Sequence, residues 1–158
     1  MVRRPPKSSA VQKAAGPSLR SQAIRLLARR EYARAELEAR LVGKGASRND
    51  VAAVLDELAA LGYVSNERFA QAFAVQKSGR YSRRSIAAEL KAKGVEAAAI
   101  DAALAATGVD DTSVLEGLWQ RRFGQPPADN REKARQVRFL QSRGFSLSAI
   151  LGLLRKVA

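Results

Sequence analysis

The chain contains no cysteine and no histidine. Without cysteine there is no disulfide framework and no thiol chemistry. Without either residue, the common zinc and haem ligands and every triad built on histidine or cysteine are excluded. Val/Ile/Thr runs are absent, and no period-2 alternation lasts long enough to read as a strand. No apolar run approaches the ~20 residues that a membrane-spanning helix needs. Acid is missing from one end: residues 1–30 hold eight Lys or Arg, and the first acid is Glu31.

What is present is base, alanine and helical periodicity. The 158 residues carry a net charge of +13. Residues 31–109 are nearly balanced, with eleven bases and ten acids, whereas residues 110–158 carry nine bases against five acids. The excess at the two ends favours polyanionic partners: nucleic acid, acidic protein surface or anionic lipid.

The dominant pattern is an internal echo. Leu41-x2-Lys44-Gly45-x5-Val51-x3-Leu55 returns as Leu90-x2-Lys93-Gly94-x5-Ile100-x3-Leu104, and again as Leu140-x2-Arg143-Gly144-x5-Ile150-x3-Leu154. The copies lie 49 and 50 residues apart, the mark of one supersecondary unit used three times. Gly45, Gly94 and Gly144 stand just past a middle helix, where a left-handed residue closes it. Lys44, Lys93 and Arg143 meet the negative end of its dipole. Ser47, Ser146 and Asp129-x-x-Glu132 are placed as helix starts. The expectation is an all-α chain of three tandem three-helix repeats over 18–65, 66–108 and 109–158, preceded by a disordered basic tail over 1–17. The core stripes expected include Ile24 and Leu27, then Val51 to Leu61, and in the third unit Ala134, Val137 and Leu140, with Trp119 and Phe123 as packing.

No catalytic constellation is found: the acids lie beside bases on helix surfaces. Gly43-Lys44-Gly45 is only a superficial likeness to a phosphate loop, since position 38 is Glu and no strand precedes it. No catalytic, cofactor-binding or metal-ligating residue is therefore assigned, and no enzyme is expected. The binding candidates are two basic clusters. Lys77, Arg80, Arg83 and Arg84 surround Tyr81, and Arg83 and Arg84 open a helix whose dipole disfavours cations, so an external anion would relieve them. Arg121 and Arg122 join Arg131, Arg135 and Arg138, the last three at i, i+4, i+7 on one helix face, where like charges are mildly destabilising.

Leu58-Ala-Ala-Leu-Gly-Tyr63 followed by Glu67-Arg-Phe-Ala70, then Ile86-Ala-Ala-Glu-Leu90-Lys-Ala-Lys-Gly-Val95, then Phe139-Leu-Gln-Ser-Arg-Gly-Phe145, taken in that order, resemble the RecX family of bacterial recombinase regulators. The likeness runs from about Leu19 to Lys156; Ser82 stands where glycine is common in the family. The resemblance implies an extended, curved array of three-helix units that binds the groove of the RecA–single-stranded DNA filament. It also implies inhibition of RecA's ATPase, strand-exchange and co-protease activities, as part of recombination and repair. A cytoplasmic monomer is expected, without a membrane partner. Single-stranded or duplex DNA, contacted directly, is a further expected partner, and two other readings stay open: a DNA-binding module with helix-turn-helix-like units reading the duplex major groove, and a helical adaptor for an acidic protein.

Overall fold

The computed structural model describes residues 18–158; the tail expected over 1–17 lies outside them. The described residues form nine helices and no strand. In order these are α1 Leu19–Arg29, α2 Arg34–Gly43, α3 Arg48–Ala60, α4 Asn66–Lys77, α5 Arg83–Ala92, α6 Ala97–Thr107, α7 Asp111–Arg122, α8 Asn130–Ser142 and α9 Leu147–Val157. They pack as triplets, α1–α3, α4–α6 and α7–α9. The chain divides after Val64 into two compact units, the second being Ser65–Ala158. The first holds one triplet and the second holds two.

The echo in the sequence is a repeated helix ending. Gly45, Gly94 and Gly144 have φ of 104°, 83° and 93°. In each copy the glycine N–H donates three residues back, to Val42, Lys91 and Gln141, and the next residue donates to the repeat leucine carbonyl, Leu41, Leu90 or Leu140. This is the double-bonded Schellman closure, which satisfies carbonyls the helix leaves without partners. Those three leucines are wholly buried. One side chain per repeat thus anchors both the core and the turn. The following helix starts on a serine cap in two copies: Ser47 Oγ accepts from the Asp50 N–H and Ser146 Oγ from the Ala149 N–H. In the second copy Glu96 stands at that place and forms no side-chain cap.

The first unit packs Ala23, Leu26, Tyr32, Leu37, Leu41, Val51, Leu55, Leu58 and Val64 into one core. The third triplet packs Val114, Leu115, Leu118, Trp119, Leu140, Phe145, Ile150, Leu153 and Leu154. Fully burying such a side chain contributes about 1.5–3 kcal/mol. Three expected core positions are corrected. In α1 the inward residues are Ala23 and Leu26, and Ile24 is exposed, because the helix is rotated by about one residue from the phase that the larger side chains suggest. Leu61 is exposed, since Gly62, with φ 81°, turns the chain away before another turn of α3 can form. Ala134 is also exposed, and Gln136 is fully buried in its stead. That polar residue is tolerated because its Oε1 accepts from Trp119 Nε1 at 2.9 Å and its Nε2 donates to the Gln125 carbonyl at 3.1 Å.

Within the second unit, Ser82 joins the second triplet to the third. It is 1% exposed. Its Oγ caps α5 by accepting from the Ser85 N–H at 3.1 Å, and donates to the Gly144 carbonyl at 2.8 Å. Its own N–H donates to the Arg143 carbonyl at 2.9 Å. The start of α5 therefore rests on the closing turn of α8.

Candidate binding face of the second unit

The join made by Ser82 brings the end of α4 beside α8, and with it two rows of alternating cations and rings. On α4 and the turn after it, Phe73, Lys77 and Tyr81 recur every four residues. Lys77 Nζ lies 5.6 Å from the Phe73 ring centre and 4.9 Å from that of Tyr81. On α8, Arg135, Phe139 and Arg143 have the same spacing. The Arg143 guanidinium links the rows, 4.9 Å from Tyr81 and 5.1 Å from Phe139. Arg122, from the end of α7, lies 5.0 Å over Phe139. Phe139 meets Phe123 edge-on, with centres 5.6 Å apart, and Arg135 lies 5.8 Å from Phe123.

Backbone contacts hold the row in place. Arg143 Nη1 donates to the Arg80 carbonyl at 3.3 Å, and Arg121 Nη2 donates to the Gly79 carbonyl at 3.0 Å. Tyr81, Phe123 and Phe139 are half-buried, and Arg122 and Arg135 are exposed. Among the described residues no carboxylate pairs with Lys77, Arg122, Arg135 or Arg143. Each cation is held by a ring, at about 0.5–1 kcal/mol per exposed contact, and keeps its charge available to an outside anion. Arginine beside a half-open aromatic ring can take a phosphate or a carboxylate bidentately while the ring stacks on a planar group.

The ten candidate residues are distributed unequally around this face. Lys77, Tyr81, Arg121, Arg122 and Arg135 are on it. Arg80 is beside it, but its guanidinium folds back to donate to the Gln76 carbonyl at 3.0 Å. Arg131 and Arg138 are exposed on α8, one turn to either side of Arg135. Arg84 lines a separate cleft with Thr112, Leu115 and Lys156. For Arg83 the argument from the helix dipole is corrected. Its Nη1 donates to the Leu104 and Val109 carbonyls, both at 3.2 Å, and its backbone N–H donates to Asp111 Oδ1 at 2.9 Å. The carboxylate answers the positive end of α5 and the guanidinium answers the open carbonyl end of α6, so the relief comes from within the unit. Arg143 and Phe139 were not among the candidates, and Phe123 belongs to the face as well as to packing.

Repeated three-helix units with the same glycine closure, and no helix among the described residues long and apolar enough to cross a membrane, define an all-α tandem-repeat protein. The descriptions of the first, second and third three-helix domains of RecX match residues 20–58, 65–104 and 110–154. The regulatory protein RecX of Chromobacterium violaceum is 44% identical over 137 residues, covering 87% of this chain and 89% of its own. That of Leptothrix cholodnii is 41% identical over 138 residues, covering 87% and 88%. The crystal structure of RecX from Lactobacillus salivarius shares the fold, with a TM-score of 0.63 at 16% identity over 88% of this chain and 94% of that one. The chain belongs to the RecX family, and its relatives are named as regulatory proteins.

Proposed function

We propose that this chain is a non-enzymatic regulator that binds the RecA–single-stranded DNA filament and lowers its ATP hydrolysis, strand exchange and co-protease activity. It acts as a monomer in the cytoplasm. The observation that carries this reading is the row of ring-held cations from Lys77 to Arg135 with no carboxylate partner among the described residues. A nucleoprotein filament offers both of the groups such a row can hold: phosphates and protein carboxylates. Arg84, Arg131 and Arg138, exposed beside or beyond the row, extend the charge that draws the partner in, whereas Arg83 acts through the fold.

The test is RecA's ATPase on single-stranded DNA, titrated with the full chain. Rates should fall as the protein approaches saturation, and full rates at saturation would overturn the reading. Lys77→Glu, Arg122→Glu and Arg135→Glu together should abolish filament binding. The triple Arg131→Glu, Arg135→Glu and Arg138→Glu should weaken it less, because it reverses only one cation of the row. Binding to bare single-stranded DNA, measured on the same variants, separates the ligand groups. Loss of both activities marks phosphate contacts, which weaken with salt at a log–log slope of about −0.7 per phosphate. Loss of filament binding alone marks carboxylates on RecA. Protection of specific duplex sites would favour the helix-turn-helix reading in its place.

A further inference from the structure

The first unit carries a second concentration of charge, absent from the basic clusters recognised in the sequence. Arg25 and Arg29 on α1 and Arg40 and Lys44 at the end of α2 line one cleft of about 320 Å³, with the buried Leu26 at its floor and Gln22 at its side. No carboxylate lines it. All four cations are exposed. Arg40 alone has a polar tether among them, donating from Nη1 to the Tyr32 hydroxyl at 3.4 Å.

The contrast with their neighbours is informative. Arg20 pairs with Glu57 at 2.9 Å, Arg30 with Glu36 at 2.6 Å and Arg34 with Asp56 at 2.5 Å. The first unit thus directs these acids to cations outside the cleft. Among the described residues Arg25, Arg29, Arg40 and Lys44 form no such pair. Residues 1–17 contain no acid that could supply the missing charge. Arg25 and Arg29 stand at i and i+4 on α1, and Arg40 and Lys44 have the same spacing across the end of α2, a spacing at which like charges repel. An anion placed between α1 and α2 would relieve both repulsions at once. It would also face four donor-bearing groups from two rigid elements, two of them arginines of the first helix.

We propose that this cleft is a binding site for consecutive phosphate groups, independent of the aromatic face in the second unit. Its chemistry fits a ligand with several negative charges within a few ångströms and no required base contact, since no aromatic ring lines the cleft. Two sources share that chemistry: the backbone of a nucleic-acid strand and the triphosphate of a nucleotide.

The full chain, with Arg25→Gln and Arg40→Gln combined, is compared with wild type and with Arg155→Gln, which removes an exposed cation of α9 outside the cleft. Two probes are used, a labelled oligothymidylate and inorganic triphosphate, each titrated at several salt concentrations. The double variant should lose at least tenfold in affinity for one probe or both, and the Arg155 variant less than twofold. Loss for the oligonucleotide alone identifies a strand. Loss for both, with triphosphate displacing the oligonucleotide, identifies a general oligophosphate site. Loss for triphosphate alone identifies a nucleotide. For a strand, the log–log salt slope should also shrink by about 1.4, two phosphates at about 0.7 each. Equal losses in the double variant and the Arg155 control would mean that only net charge matters, and would overturn the proposal, as would no detectable binding of either probe to wild type. The single variants Arg29→Gln and Lys44→Gln, fully outside the core, decide the matter if the double variant does not fold.

Discussion

Gly144→Ala is the sharpest test of how the repeats are joined. Gly144 has φ 93°, so any other residue must adopt the left-handed region, at a cost of about 1–2 kcal/mol. Its case differs from that of Gly45, where a Cβ would meet nothing within 4 Å, in what surrounds it. A Cβ built there would run into Ser82 Oγ and Ser85 Cβ, closer than real carbon contacts allow. Forcing α5 away from the turn adds an overpacking cost of about 1–3 kcal/mol. It also breaks the 2.8 Å bond from Ser82 Oγ to the Gly144 carbonyl, for about another 1 kcal/mol. Together these amount to about 3–6 kcal/mol. Gly108→Ala is the internal comparison: it lies in the same unit, has φ 63°, and a Cβ there meets nothing within 4 Å. It should lose only the backbone cost of about 1–2 kcal/mol. Restriction of the unfolded chain offsets both variants by a similar amount, about 0.4–1 kcal/mol. Urea unfolding followed by Trp119 fluorescence reports on this unit, because Trp119 is the chain's one tryptophan and sits in the third triplet's core. The Gly144 variant should unfold at clearly lower urea than the Gly108 variant. Equal midpoints would refute the claim that a close approach between triplets, added to backbone conformation, demands glycine at 144.

Three further outcomes follow from single contacts. Gln136→Leu keeps the volume but strips Trp119 Nε1 and the Gln125 carbonyl of their partner; each group left unsatisfied costs about 1–3 kcal/mol, so the urea midpoint should fall despite the gain in apolarity. Arg83→Gln should destabilise by about 1–3 kcal/mol because it takes the guanidinium donor from the Val109 carbonyl and leaves the Leu104 carbonyl with the Thr107 hydroxyl at 2.7 Å, whereas Arg84→Gln, exposed and without those contacts, should change thermal stability by less than about 0.5 kcal/mol. The Asp110 carboxyl is held below its ordinary value, chiefly because the Ser113 N–H donates to it; its stabilising contribution is therefore complete above the usual carboxylate pKa of about 3.9 and is lost as pH falls through the lower folded value. Asp110→Asn keeps an N-cap but removes that titration, so its stability relative to wild type should improve between pH 5 and pH 2 in an acid-unfolding series, and a parallel pair of curves would refute the assignment.

The amino-acid sequence by itself determined the class, the count of repeats and the helix ends, because these depend on interactions within about five residues. Leu41, Lys44 and Gly45, and their two later copies, carry the information for one closure: a buried anchor, a cation at the dipole's negative end and a residue free to take positive φ. Ser47, Ser146 and Asp129 announce helix starts in the same local way. Part of the candidate face was equally local. Phe73, Lys77 and Tyr81 on one element, and Arg135, Phe139 and Arg143 on another, follow the i, i+4 rule that places side chains one above the other. Only tertiary structure decided that these two rows meet, since the link depends on Ser82 reaching a turn 62 residues away. It also decided that Arg83 turns inward, because the carbonyls of Leu104 and Val109 become its partners only once α6 has ended beside α5. The same holds for the cleft in the first unit. Arg25 and Arg29 are eleven or more residues from Arg40 and Lys44, and their charges add up only because α1 and α2 pack together.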